Sequence, residues 1–172
     1  MLERSWLVKK LFFSSNCREA VYRFWVVGAI GGLVFVLDQL TKAWAVKVLG
    51  DGDVITVMAN FFHLRYGENT GAAFGLLREN PRLLQILTFV VLAWLVWMGQ
   101  QVDWRPVLRR VAAGLVAGGA LGNLTDRVVR GFVVDFLDFQ LGNWHYPTFN
   151  LADSAICVGV ALFFVQEFFR KR

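Results

Sequence analysis

Four apolar segments constrain this chain more than any other feature of its sequence. They cover residues 24–46, 83–98, 107–124 and 151–169. A helix needs about 20 mostly apolar residues to cross a hydrocarbon core of about 30 Å. The shortest segment has 16 residues and still reaches about 24 Å as a helix. The sequence therefore predicts one all-α membrane domain over residues 1–172, built as a bundle of four transmembrane helices.

The composition and the placement of charge agree with a membrane protein. Hydrophobic residues make up 56% of the chain and charged residues 18%, unlike disordered or nucleic-acid-coating proteins. Lys and Arg are concentrated in the tail 1–23, the short loop 100–110 and the C-terminal end, as is typical of cytoplasmic segments. We therefore expect cytoplasmic termini, outer loops at 47–82 and 125–148, and no nucleic-acid partner.

The basic N-terminal tail does not resemble a cleaved signal peptide, because the apolar segment that follows is too long and lacks a small-residue cleavage site. Residues 6–13 mix two lysines with Trp, Leu, Val and Phe. This pattern fits a short helix that lies on the inner membrane surface. A frayed tail fits it equally well.

Metal and nucleophile chemistry are not expected. Cys17 and Cys157 form no CxxC or Cys/His cluster, and His63 and His145 are isolated. No serine lies in a convincing nucleophile elbow. Polar chemistry in this chain must therefore come from carboxylates and amides.

Three polar side chains interrupt the apolar segments at a similar depth. At about 1.5 Å per residue, Asp38 lies about 21 Å from Phe24, Asn123 about 18 Å from Val111 and Asp153 about 24 Å from Phe169, each counted from the cytoplasmic side. An aspartate at the bilayer centre costs roughly 2.5–3.5 kcal/mol, so their convergence predicts one polar site that opens toward the outer leaflet. Asp38 and Lys42 share a helix face and can pair, in either a structural or a substrate-facing role.

The first outer loop combines strand-forming residues with a stretch of small ones. Residues 54–66 are rich in β-branched and aromatic residues, which predicts a small extracytoplasmic sheet. In the following stretch, 69–75, Asn69 and Gly71 fit either a plain turn or a backbone that binds an extended peptide.

The third segment is glycine-rich and ends in charged residues. Gly114, Gly118 and Gly122 form two GxxxG steps, which favour close helix packing. Asn123 and Arg127 share a face one turn apart, and Arg127 is suited to anchoring a carboxylate or a lipid phosphate. Asp126 and Arg130 are a second possible ion pair, four residues apart.

Two further acidic positions suggest hydrolysis. Asp135 falls on the apolar side of a strand-like stretch, 132–139. Asn150 is a good N-cap, and Asp153 suits the positive end of the helix that it begins. If Asp135 and Asp153 meet in a poorly solvated pocket, they share a proton. One then activates a water while the other protonates the substrate, which allows amide hydrolysis.

Four sequence blocks, in this order, resemble the lipoprotein signal peptidases, also called signal peptidase II. They are DQLTKAWA, NTGAAFG, GNLTDRVVRGFVVDF and FNLADS, and the resemblance covers about residues 31–169. It implies that Asp135 and Asp153 are the catalytic aspartates, and that Asp126 belongs to an arginine-anchoring block instead. It also implies supporting roles for Asp38, Lys42, Asn69, Asn123, Arg127 and Asn150.

The resemblance further implies an aspartic endopeptidase of the bacterial cytoplasmic membrane. Its substrate would be a prolipoprotein whose cysteine carries diacylglycerol, cleaved on the N-terminal side of that cysteine. We expect no metal or organic cofactor, membrane lipids as neighbours and a monomeric protein.

Two other interpretations remain open at this point. A small transporter or channel would place acids along a path across the membrane, whereas Asp38, Asp135 and Asp153 cluster near one side. A noncatalytic lipid-binding scaffold would make the aspartate pair dispensable.

Overall fold

A computed structural model describes residues 3–71, 106–142 and 144–170, with side chains from Trp25 onward, and seven separate positions between 83 and 103. Within the predicted segment 83–98, residues 83, 86, 88–90 and 93 are helical. The rest of that segment lies outside the described residues, as do residues 72–75 of the small-residue stretch.

Three long helices have described bounds: α1 at Glu3–Leu49, α2 at Val107–Val129 and α3 at Leu151–Arg170. They contain the other three predicted segments. With 47 residues, α1 is about 70 Å long. It includes residues 3–23 of the N-terminal tail, whose sequence fits either an interfacial helix or a frayed end. Pro106 directly precedes α2, where its missing N–H removes no helical hydrogen bond.

Two stretches in the described part of the chain are long and apolar enough to cross a bilayer. They are Trp25–Leu49 and Leu151–Phe169. The α2 helix is more polar, because Arg109, Arg110, Asp126 and Arg127 lie near its two ends. Arg109 is nevertheless buried, and its Nη2 lies 2.5 Å from Oε1 of Glu167 on α3. The bundle of four spans therefore stays a prediction.

The four strands found in the described part of the chain form one antiparallel sheet in the order β1-β2-β3-β4. Their bounds are Val54–Met58 for β1, Phe62–Asn69 for β2, Val133–Leu141 for β3 and Trp144–His145 for β4. The strands predicted at 54–66 and 132–139 are confirmed. The β2–β3 register, with an irregularity between Leu64 and Gly67, sets Gly67 opposite Asp135 and Asn69 opposite Val133. This register brings the end of β2 beside Asp135.

The sheet is attached to the end of α1 by a small apolar core. Ala45 and Leu49 of α1 pack with Val134 and Phe136 of β3, and all four are buried. Burying such side chains favours the attachment by about 25 cal/mol per Å² of apolar area. The position of β3, and of Asp135 on it, is therefore fixed relative to α1.

The glycine steps of α2 allow it to approach α1 closely, as predicted. A Cβ atom at Gly118 would lie 2.8 Å from Cβ of Val34 and 3.0 Å from Cα of Gly31. One turn further, a Cβ at Gly122 would collide with the carboxylate of Asp38. The absence of side chains at these positions leaves room for Asp38 between the two helices.

Candidate active site

Asp135 is a buried carboxylate near the middle of β3, with a relative exposure of 1%. Its Oδ1 accepts a hydrogen bond from Nδ2 of Asn150 (2.7 Å), and its Oδ2 accepts one from Nδ2 of Asn69 (2.9 Å). Burial first, and then the negative charge of Asp153, raise the pKa of Asp135 to about 7 against the opposing effect of both amides and of Lys42. Asp135 is therefore poised to gain or lose a proton near neutral pH.

Asp153 lies in the first turn of α3, where it and Asn150 cap the helix reciprocally. Oδ1 of Asn150 accepts from the backbone N of Asp153 (3.0 Å), and Oδ2 of Asp153 accepts from the backbone N of Asn150 (3.2 Å). The N-cap interpretation of Asn150 is confirmed. It does not compete with a role in the site, because Nδ2 of the same side chain reaches Asp135.

Asn123 on α2 connects the two carboxylates. Its Nδ2 donates to Oδ1 of Asp153 (2.8 Å), and its Oδ1 accepts from Nδ2 of Asn150 (3.1 Å). Since Asn150 also donates to Asp135, both aspartates belong to one hydrogen-bonded network. Residues from α2, β3 and α3 thus converge. The depth of the polar residues predicts the meeting of Asn123 with Asp153, whereas it does not predict that Asp135 joins them.

Lys42 and Asp38 lie behind this network and are fully buried. Nζ of Lys42 is 2.8 Å from Oδ2 of Asp38, which confirms the predicted pair, and it donates to Oδ1 of Asn123 over 2.9 Å. Oδ1 of Asp38 accepts from the backbone N of Ala152 (3.0 Å), at the start of α3. Neither residue lines the cavity described below, so the pair supports the site from inside the protein.

Asp126 makes contacts in this cluster that the sequence does not predict. The predicted pair with Arg130 is confirmed, but Oδ2 of Asp126 also lies 2.9 Å from Nζ of Lys42 and accepts from the backbone N of Val134 (3.2 Å). It therefore neutralises Lys42 and holds the backbone next to Asp135. No local spacing indicates the contact with Lys42, because the two residues are far apart in the sequence.

An open cavity of about 830 Å³ borders the two aspartates. Asn69, Gly71, Asn123 and Arg127 also line it. The backbone N of Gly71 donates to Oδ1 of Asn69 (3.0 Å), forming an Asx turn, and Nη2 of Arg127 donates to the carbonyl oxygen of Gly71 (3.4 Å). The cavity therefore combines the two aspartates and Glu68 with amide donors and one guanidinium.

The described residues hold no group of three or more His, Cys, Asp or Glu side chains suited to a metal ion. Asp138, on the opposite side of β3 from Asp135, contacts Arg65 at 2.6 Å and Nδ1 of His145 at 3.2 Å. Neither His63 nor His145 lines the cavity. The polar groups that line the cavity are carboxylates, amides, hydroxyls, the thiol of Cys157 and the guanidinium of Arg127.

Comparison with known proteins gives a consistent result. The family model described as Signal peptidase (SPase) II matches residues 30–169. The lipoprotein signal peptidase of Bacillus pumilus is 44% identical over 137 residues, which cover 80% of this chain and 88% of that protein. The lipoprotein signal peptidase of Shewanella loihica is 44% identical over 166 residues, covering 92% of this chain and 93% of that protein.

A solved structure shows the same likeness in three dimensions. It is described as a bacterial membrane enzyme determined by the in meso method at 2.3 Å resolution, with a TM-score of 0.72 and 33% sequence identity. The match covers 81% of this chain and 85% of that one. The chain therefore has a helical membrane-enzyme fold with a small antiparallel sheet.

Proposed function

The chain belongs to the signal peptidase II family, and from this premise we propose that it removes signal peptides from diacylglyceryl-modified prolipoproteins. The resemblance of its four sequence blocks to that family is confirmed. The protein is a peptidase of a bacterial membrane, and family membership does not favour the transporter alternative. Cleavage on the N-terminal side of the lipidated cysteine leaves that cysteine as the new N terminus.

Asp135 and Asp153 act as the catalytic pair in this proposal. The observation that carries it is the network in which Asn123 and Asn150 tie both carboxylates together at the border of one cavity. Two acids in one buried network cannot both ionise freely, so they share a proton and titrate as a pair. An aspartic peptidase that activates water requires such a pair, with one carboxyl group protonated and the other ionised.

The reaction then follows from the two protonation states. Asp135, with its pKa raised to about 7, carries the shared proton and donates a hydrogen bond to the scissile carbonyl oxygen. The carboxylate of Asp153 takes a proton from a water molecule, whose oxygen attacks the carbonyl carbon. Asp153 then transfers the proton that it took from water to the amide nitrogen, and the C–N bond breaks to release a carboxylic acid and the amine of the cysteine.

The remaining site residues position this pair and the substrate. Asn69, Asn123 and Asn150 orient the carboxylates through the hydrogen bonds described above. Arg127 and the Gly71 backbone line the cavity, where they are placed to bind main-chain carbonyl and amide groups of an extended peptide. Asp38 and Lys42 keep α1, α2 and the start of α3 in register.

We further propose the topology that the charge distribution predicts. Four spans, at 24–46, 83–98, 107–124 and 151–169, cross the membrane as one domain, with both termini in the cytoplasm. The tail 1–23 lies on the inner side, and the sheet faces outward. The enzyme acts as a monomer surrounded by lipid, with its aspartates at the depth of the outer leaflet, so the acyl chains of the substrate remain in the bilayer during cleavage.

The experiment is cleavage of a diacylglyceryl-modified prolipoprotein by the purified full-length chain in detergent or vesicles. Mass spectrometry of the products should place the cut directly before the lipidated cysteine. The matched substrate without diacylglycerol should be cleaved poorly. Cleavage at another bond, or equal rates on the two substrates, contradicts the proposal.

A further inference from the structure

A row of aromatic side chains lines the cavity beside the aspartates and has no role in the chemistry proposed above. We call it the aromatic wall and define it as Phe61, Phe139, Phe149, Tyr146 and Trp144, all of which line the cavity. Successive rings are in contact, with centroids 5.5, 5.8, 5.7 and 6.0 Å apart along this order. These are distances of favourable aromatic packing.

The wall is attached to the strand that carries Asp135. Phe139 lies four residues further along β3, on the same side of the strand, about 14 Å away at about 3.4 Å per residue. The backbone N of Phe149 donates to the carbonyl of Leu137 (3.2 Å), and the backbone N of Tyr146 donates to that of Phe139 (2.8 Å). The distance between the wall and the aspartates is therefore set by β3.

At its far end the wall becomes an exposed apolar rim. Trp144 is 55% exposed, Tyr146 44% and the neighbouring Leu141 61%. Aromatic residues with this exposure are typical of the boundary between lipid and water. The cavity thus has a polar end at the aspartates and an apolar end that is open to the outer leaflet in the proposed topology.

The position of the wall decides which part of the substrate meets it, and this step rests on the proposed function. The signal peptide rises through the membrane and reaches the aspartates from the side of the helices. The group on the other side of the scissile bond is the cysteine with its diacylglyceryl thioether. We propose that the aromatic wall is the subsite for this diacylglyceryl group and makes the enzyme select lipidated substrate.

The chemistry of the wall fits the acyl chains of this group, and its successive ring spacings of 5.5, 5.8, 5.7 and 6.0 Å extend beyond the reach of a four-carbon chain. Ring faces bury methylene groups, each worth about 0.8 kcal/mol when fully removed from water. The open rim lets the rest of each chain stay in the bilayer. The wall carries no charge, which matches the uncharged diacylglyceryl group. An apolar peptide segment is the competing occupant, and the test below separates the two.

Chain length of the substrate lipid is the variable that tests the subsite. Two peptides of identical sequence carry a diacylglyceryl cysteine with either two palmitoyl or two butanoyl chains, and kcat and KM are measured for each in the same detergent. The variants are Trp144→Ala and Tyr146→Ala, both at exposed rim positions, with Trp144→Phe as the conservative replacement. Phe164→Ala is the matched control, because Phe164 is 71% exposed on α3 and does not line the cavity.

Both alanine variants should lower the preference for the palmitoyl substrate, expressed as the ratio of kcat/KM values, by about tenfold. The change should fall mainly on KM, Trp144→Phe should restore most of the preference, and Phe164→Ala should keep that of the wild type. An unchanged ratio, or an equal loss on both substrates as expected of a peptide subsite, overturns the inference. Failure of the wild type to cleave either substrate would instead count against the proposed function.

Discussion

Lys42 of α1 donates a hydrogen bond from Nζ to Oδ1 of Asn123 on α2, over 2.9 Å. Because Nδ2 of Asn123 holds Asp153, the charge of Lys42 fixes which way this amide points. The same ammonium forms ion pairs with Asp38 and Asp126, both fully buried, and Arg130 supplies a second cation to Asp126. Lys42 does not line the cavity. It nevertheless stabilises the packing of the helices and also fixes the geometry of the site.

Replacing Lys42 by Met should therefore destabilise the protein and abolish cleavage together. Methionine is also unbranched and is one atom shorter, but it leaves Asp38 and Asp126 without this cation. Removing one partner of a buried ion pair costs about 3–5 kcal/mol. Thermal unfolding in detergent and peptide cleavage are the measurements. Lys47→Met, at an exposed position of the same helix, is the control and should stay close to wild type. A Lys42→Met protein with wild-type Tm contradicts this account of the cluster.

The close contact between α1 and α2 predicts a cost for Gly118→Ala. The new methyl group would meet Val34 and the backbone of Gly31, and backbone atoms cannot move aside as a flexible side chain does. Overpacking of this kind typically costs about 1–3 kcal/mol. A lower Tm is expected, whereas Gly28→Ala, which meets nothing within 4 Å, should leave Tm unchanged or slightly higher. Equal Tm values for Gly118→Ala and Gly28→Ala would contradict a close contact between α1 and α2 at Gly118.

The parts of the site that local spacing controls could be predicted from the sequence. Asp38 and Lys42, like Asp126 and Arg130, are four residues apart and meet on one helix face. Asn150 and Asp153 have the spacing of a reciprocal cap, and the cap is present. The lengths of the apolar segments predict α2 and α3 to within about five residues, and the strand-like stretch 132–139 predicts β3 to within about two. The start of α1 is not predicted, because the helix begins at Glu3, well before its apolar segment.

Contacts that depend on packing between distant segments could not be predicted in this way. The pairing of Lys42 with Asp126 needs α1 and α2 to approach at Gly122, and no periodicity encodes it. The contact of Asn69 with Asp135 depends on an irregularity of β2 between Leu64 and Gly67, which shifts the register of the following β2 residues relative to β3. The aromatic wall likewise forms only when β4 and Phe149 fold back onto β3.

The pKa of Asp135 predicts how stability and activity change with pH. Burial and the charge of Asp153 raise this pKa from 3.8 to about 7, so the folded state binds the proton more tightly than the unfolded state. The stability that this proton contributes is fully present below pH 3.8 and is lost as pH rises toward about 7. In the proposed mechanism the same deprotonation removes the acid, so kcat/KM should fall above about pH 7.

Tm and kcat/KM across this pH range test the prediction, with Asp135→Asn as the reference for Tm. As pH rises to about 7, the Tm of wild type should fall relative to that of Asp135→Asn. Above about pH 7 the difference between the two Tm values should stay constant. A wild-type Tm that rises relative to that of Asp135→Asn over this pH range would contradict a raised pKa of Asp135.

The central claim, catalysis by Asp135 and Asp153, is tested most directly by the turnover of Asp135→Asn and Asp153→Asn, each assayed separately on a lipidated prolipoprotein. Asparagine keeps the shape of aspartate but cannot donate or take up the shared proton, so each variant should insert and fold and lose at least about a thousandfold in kcat. Asp53→Asn, at an exposed position between α1 and β1, is the matched control and should turn over at the wild-type rate. Turnover within about tenfold of wild type in either Asp135→Asn or Asp153→Asn would contradict the account.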